Sequence, residues 1–211
     1  MTTRGILGAA AVLVLSAPVV VFPAESIAAG ERQPRAETRR AWARHVSSVE
    51  AALRADAGAA FTNGSVLQGR RIAVPGGMVH EWRGAITIPA ITVRRLVDAL
   101  STPGLPPPAD DILEARVMSR SGDDLRVYMK VKRTALLTVV YETEHEVSFT
   151  RHSDRLATSR SVATRISEID GSDRGFLWRL NSYWTYRQVG DAVEVSLLTL
   201  SLSRDIPLLA R

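Results

Sequence analysis

Cysteine is absent from the chain. That excludes disulfides, thiolate nucleophiles, cysteine-held zinc and iron–sulfur clusters, so the fold must rest on its hydrophobic core. Lysine is nearly absent too. Lys130 and Lys132 stand alone, and the net charge of +5 is an arginine charge. The arginines are scattered. Arg39-Arg40, Arg70-Arg71 and Arg94-Arg95 are the densest pairs, and no run of five or six like charges occurs. A basic balance without a clustered face does not point to nucleic acid, and leaves anionic ligands or an acidic membrane surface as partners. Gly-x-Ser-x-Gly, Walker-type and dinucleotide-binding glycine patterns are missing, as are internal repeats. His145-Glu146 opens like a zinc-protease motif, but the next histidine is His152 and the segment reads as a strand. That motif needs histidines at i and i+4 on one helical face, so no metal and no cofactor is expected.

What is present is a foldable chain of 211 residues, 45% hydrophobic and 23% charged, the size of one ordinary domain. Its start reads as a targeting segment. Arg4 precedes an apolar run from Ile6 to Phe22, and Ser26-Ile27-Ala28 places small residues for cleavage near Ala28. An apolar run of about 17 residues is at the short limit for a span. A cleaved signal over residues 1–29 and a periplasmic or secreted mature protein are therefore expected. A linker and helix fill 30–77.

The helix is predicted over 38–55, where Trp42, Val46, Val49 and Leu53 recur at three- and four-residue spacing. A short strand fits 72–74. After Pro75-Gly76-Gly77 a strand alternates over 78–88 and stops at Pro89. Thr92 is positioned to cap a short helix ending near Leu100. Prolines at 103, 106, 107 and 108 mark a loop. From Ile112 onward the pattern is strand and turn only, an antiparallel meander over 112–119, 125–133, 136–150, 156–169, 176–188 and 192–202.

Several strings in this order resemble a known superfamily. They are Pro75-Gly76-Gly77 leading to His80-Glu81-Trp82-Arg83-Gly84, then Thr143-Glu144-His145-Glu146-Val147. Phe176 to Trp184 and Ser201-Leu202-Ser203-Arg204-Asp205-Ile206-Pro207 complete them. Over roughly residues 37–207 the chain is similar to an exported bacterial group of the START-like (SRPBCC, polyketide-cyclase-like, Bet v 1-like) superfamily. The resemblance implies an α+β helix-grip fold over 78–211. It consists of a curved seven-stranded antiparallel sheet, with an N-terminal helix and a short helix after the first strand. It specifies a fold and not a reaction, since the superfamily hosts carriers, receptors and enzymes. Such proteins usually close the sheet with a long C-terminal helix. Here the chain stops at Arg211, just past Pro207, and that helix is expected to be missing. Leu198, Leu200 and Leu202 would then line an uncovered groove open to dimerisation, unless the 38–55 helix covered it.

The candidate site residues follow from the strand patterns. Glu142, Glu144 and Glu146 share one face of a strand, either solvated or pairing inward with Arg165 or Arg179. Trp178, Leu180, Ser182 and Trp184 share one face of the penultimate strand, as core or as a stacking wall. Arg179, Asn181 and Tyr183 share the other, as a head-group contact or as a structural cluster such as an Arg179–Glu144 pair. Trp82 is a further candidate. The ligand set is thus Trp82, Glu144, Arg165, Trp178, Arg179, Asn181 and Tyr183. The expected function is non-catalytic binding or carrying of a hydrophobic or amphipathic molecule or lipid. The alternatives are a cyclase- or hydrolase-like enzyme using an inward Glu or His with Arg179, and a truncated copy without function.

Overall fold

The computed structural model describes residues 33–55, 68–102, 111–134, 138–171 and 176–204. The residues expected to form a targeting segment, those expected to form the proline loop, and the chain after Arg204 lie outside the described residues.

Helix α1 (Ala36–Ala55) buries Thr38, Ala41, Trp42 and Val49, with Val46 and Leu53 beside them. These positions fall on one stripe of a 3.6-residue period, and arginines occupy the opposite side. Thr38 Oγ1 donates to the Pro75 carbonyl at 2.6 Å, which ties the start of α1 to the turn between β1 (Gln68–Val74) and β2 (Gly77–Ile88). Gly76 turns that corner with φ of +65°, a conformation glycine adopts without a steric penalty. Helix α2 (Val93–Ser101) begins as expected, with Thr92 Oγ1 accepting from the Arg95 N–H at 3.3 Å. Gln188 holds its entry from the sheet. Its side-chain oxygen accepts from the Val93 N–H, and its amide nitrogen donates to the Ile91 and Ala192 carbonyls.

The remaining strands are β3 (Ile112–Ser121), β4 (Asp124–Thr134), β5 (Thr138–Ser153), β6 (Leu156–Glu168), β7 (Arg179–Val189) and β8 (Ala192–Arg204). They form the expected meander. β8 returns to pair with β2, and β1 adds to the far edge, giving one antiparallel sheet in the order β1-β2-β8-β7-β6-β5-β4-β3. The sheet is curved and α+β in class, with eight strands and not seven. The extra strand is β1. Its end is the short strand expected at 72–74; residues 68–71 before it are exposed and carry no hydrophobic alternation, and backbone pairing to β2 holds them. No described helix is long and apolar enough to cross a membrane.

Helices α1 and α2 cover opposite faces of this sheet. We call the α2 side the first face. There Val93, Leu96 and Val97 pack with Ile88, Trp184, Tyr186, Val193, Val195 and Leu197. On the second face Trp42 and Val49 of α1 pack with Val79, Trp178, Tyr183, Leu198, Leu200 and Leu202. Leu200 and Leu202 have no exposed surface. The leucines expected to line an open groove are therefore the seat of α1, and the ground for dimerisation through them is removed. The reason lies within β8, whose apolar residues change sides between Leu197 and Leu198. The pairings with β2 and β7 run through this point without a register shift. Each face of the central strands is consequently apolar under its helix and hydroxyl-bearing beyond it.

A buried hydroxyl and histidine band on the first face

Beyond the reach of α2, the first face carries small polar side chains. Thr199, Ser182 and Ser161 are paired across β8, β7 and β6, with Trp82 of β2 next to Thr199. The Ser182 and Thr199 hydroxyls stand 3.4 Å apart. Ser159 meets the Tyr186 hydroxyl at 2.9 Å. His145 of β5 reaches the Ser161 hydroxyl through Nδ1 at 3.1 Å, and His80 of β2 reaches Ser203 through Nε2 at 3.2 Å. All of these but Trp82, which is half-buried, are buried. Leu125, Val127 and Leu180 supply buried apolar surface on the same face, by register and alternation.

Both histidines are held neutral. Burial pushes His145 down to about 4. Burial, reinforced by the Arg71 charge, lowers His80. Each ring therefore offers one donor and one acceptor nitrogen. His80 Nδ1 and His145 Nε2 are buried and have no hydrogen-bond partner. A buried polar atom left unpaired costs about 1–3 kcal/mol, which a ligand's polar group can recover. Among the described residues no cluster of three or more His, Cys, Asp or Glu could hold a metal ion. Glu146 points away from His145 on the alternating strand and is exposed.

Of the seven residues singled out from sequence, only Trp82 lies on this face. Its ring rests over Gly69, the residue paired with it on β1. Trp178 precedes β7 and belongs to the core under α1, not to a wall shared with Leu180 and Trp184. Asn181 and Tyr183 are buried beneath α1. The Asn181 amide donates to the Tyr183 hydroxyl at 3.1 Å, and that hydroxyl donates to Glu50 of α1 at 2.9 Å. Burial first, then the Glu50 carboxylate, push Tyr183 up to about 12. Arg179, on the second face, donates to the Trp178 carbonyl at 2.7 Å. Glu144 does pair with Arg165, at 3.3 Å, and with Arg126, at 3.2 Å, on the solvated outer part of the second face. The Arg179–Glu144 pair is not formed: the rungs of the sheet separate the two residues. The sequence held one signal for the hydroxyl band, the alternation Thr199-Leu200-Ser201-Leu202-Ser203. Alternation alone does not say whether the leucines or the hydroxyls of that stretch face α1.

No family model and no curated protein matches the sequence. Solved structures do resemble the fold. A STAR-related lipid transfer protein from Xanthomonas axonopodis is 16% identical, with 67% of this chain and 85% of that one covered and a TM-score of 0.47. An aromatase/cyclase from a Streptomyces species is 9% identical, over 61% of this chain and 71% of that one, with a TM-score of 0.43. A human lipid transfer and protein localization domain is 8% identical, over 75% and 84%, with a TM-score of 0.42. Likeness at this level concerns the path of the chain and carries nothing about ligand or reaction.

Proposed function

We propose that the protein binds or carries an amphipathic small molecule or lipid across the first face of its sheet, outside the cytoplasm where its leading apolar segment directs it. The observation that carries this reading is the buried band of hydroxyls bordered by His80 and His145, each with an unpartnered ring nitrogen, set in otherwise apolar surroundings. Small side chains leave room above a strand, apolar neighbours favour an acyl or ring body, and the neutral imidazoles fix a polar end. The enzyme alternative draws less support. His145 and Arg179 stand on opposite faces, and an imidazole held near 4 is a poor base at neutral pH.

The test is binding. Gently purified full-length protein is extracted for co-purifying lipid and titrated with fatty acids and phospholipids. Ser182→Leu, which fills the band, is expected to abolish binding. His145→Gln is expected to weaken it by about tenfold, the scale of one lost buried hydrogen bond. An empty extract together with no binding across the panel overturns the proposal.

A further inference from the structure

The second face repeats the same division in mirror image. Beyond α1, its paired rows bear hydroxyls: Thr150, Thr158 and Thr185 face one another across β5, β6 and β7. They line a cavity of about 370 Å³ at the C-terminal end of α1, together with Arg160, Glu50 and His152.

The cavity is rich in donors. Arg160 spends only its Nε–H on protein, donating to Glu50 Oε1 at 2.8 Å. Its two terminal amino groups remain available, and the residue is 47% exposed. The same carboxylate oxygen accepts from Tyr183. Burial raises Glu50, but the Arg160 and Tyr183 hydrogen bonds and the Arg160 and Arg54 charges outweigh it. Glu50 stays below the ordinary carboxylate range and is ionised. Arg54 lies 3.9 Å from the other carboxylate oxygen. Arg187 follows Thr185 on the same face of β7, and its Nε and Nη2 atoms are buried with no partner. Glu194 is its neighbour in register, yet no ion pair joins them. Arg160 and Arg187 thus stand on either side of the Thr158–Thr185 pair. Arg187 lies outside the cavity lining, and within it the free Arg160 amino groups beside the row of hydroxyls form a donor array that matches a planar or tetrahedral oxyanion.

We infer that this second-face cavity is a separate binding site for a small organic oxyanion, a molecule bearing a carboxylate or phosphate group, held between Arg160 and the threonine row. It lies across the sheet from the histidine band, so it does not depend on the lipid reading.

The experiment is a ¹H–¹⁵N NMR titration of the full chain with inorganic phosphate, citrate, glucose 6-phosphate and neutral glucose at fixed ionic strength. Saturable shifts are expected at the Thr158 and Thr185 amides with phosphate or citrate, which separates the two anion chemistries, and none with glucose. Arg160→Gln is expected to weaken anion binding by about tenfold. That change also removes a tie to α1, so Thr158→Val, which leaves the Glu50–Arg160–Tyr183 contacts intact, serves as the second variant and should weaken binding severalfold. His145→Gln should leave the titration unchanged. Glucose binding as well as the anions, the absence of saturable shifts with every anion, or full affinity in both cavity variants would overturn the inference.

Discussion

Truncating Leu200 to alanine tests the placement of α1 most directly. Leu200 has no exposed surface and belongs to the cluster formed with Trp42 and Val49 of α1 and with Val79, Leu198 and Leu202 of the sheet. Cutting back such a side chain removes its transfer free energy and leaves a cavity that a β-strand pinned on both sides by β2 and β7 can hardly close. The expected loss is about 3 kcal/mol, or a fall in melting temperature of about 6–12 °C for a domain of this size. Urea unfolding followed by tryptophan fluorescence reads it, since Trp42 and Trp178 lie in the same cluster. The adjacent residue provides the control. Ser201 is on the first face, and Ser201→Ala should stay within about 0.5 kcal/mol. Val49→Ala combined with Leu200→Ala should depart from additivity by about 0.5 kcal/mol or more, because the two side chains share one cavity. A Leu200→Ala cost below about 1 kcal/mol, or a larger cost for Ser201→Ala, refutes the assignment of faces and with it both proposed sites.

Stability should depend on pH through His145. Its folded-state value of about 4 lies below the ordinary 6.5, so as pH falls the unfolded chain takes up the proton first. The full stability is present above about pH 6.5 and is lost between there and about pH 4, by roughly 3 kcal/mol, with His80 acting in the same direction. Urea midpoints at several pH values check this, and an unchanged slope in His145→Gln would contradict it. At the sheet edge, a Cβ on Gly69 would overlap the Trp82 ring. Gly69→Ala should therefore cost about 1–3 kcal/mol and shift tryptophan emission, with much of the loss restored by adding Trp82→Leu. A Gly69→Ala protein with wild-type emission and midpoint would show that the ring does not rest there.

Much of the architecture was legible from residue order. The α1 stripe, the Thr92 cap, the glycine turn before β2 and the succession of six strands after α2 each follow from a local rule. Side-chain period, hydroxyl capping and backbone φ operate within a few residues, so a linear reading captures them. Only the 72–74 end of β1 was legible, because the rest is held by backbone pairing at an exposed edge, which leaves little mark on side-chain pattern.

Facing is a different kind of information. Alternation along β8 separates Leu198, Leu200 and Leu202 from Thr199, Ser201 and Ser203, but it is symmetric: nothing within the strand says which set meets which helix. That choice was made when α1 docked on one side of the sheet and α2 on the other, each covering a different half of the same strands. Arg179, Asn181 and Tyr183 share a face, as their alternation implies, and docking makes two of them, Asn181 and Tyr183, supports for α1. The residues themselves determined a helix-and-meander fold with apolar and hydroxyl rows. Only the three-dimensional assembly decided which rows became core under a helix and which lay beyond it.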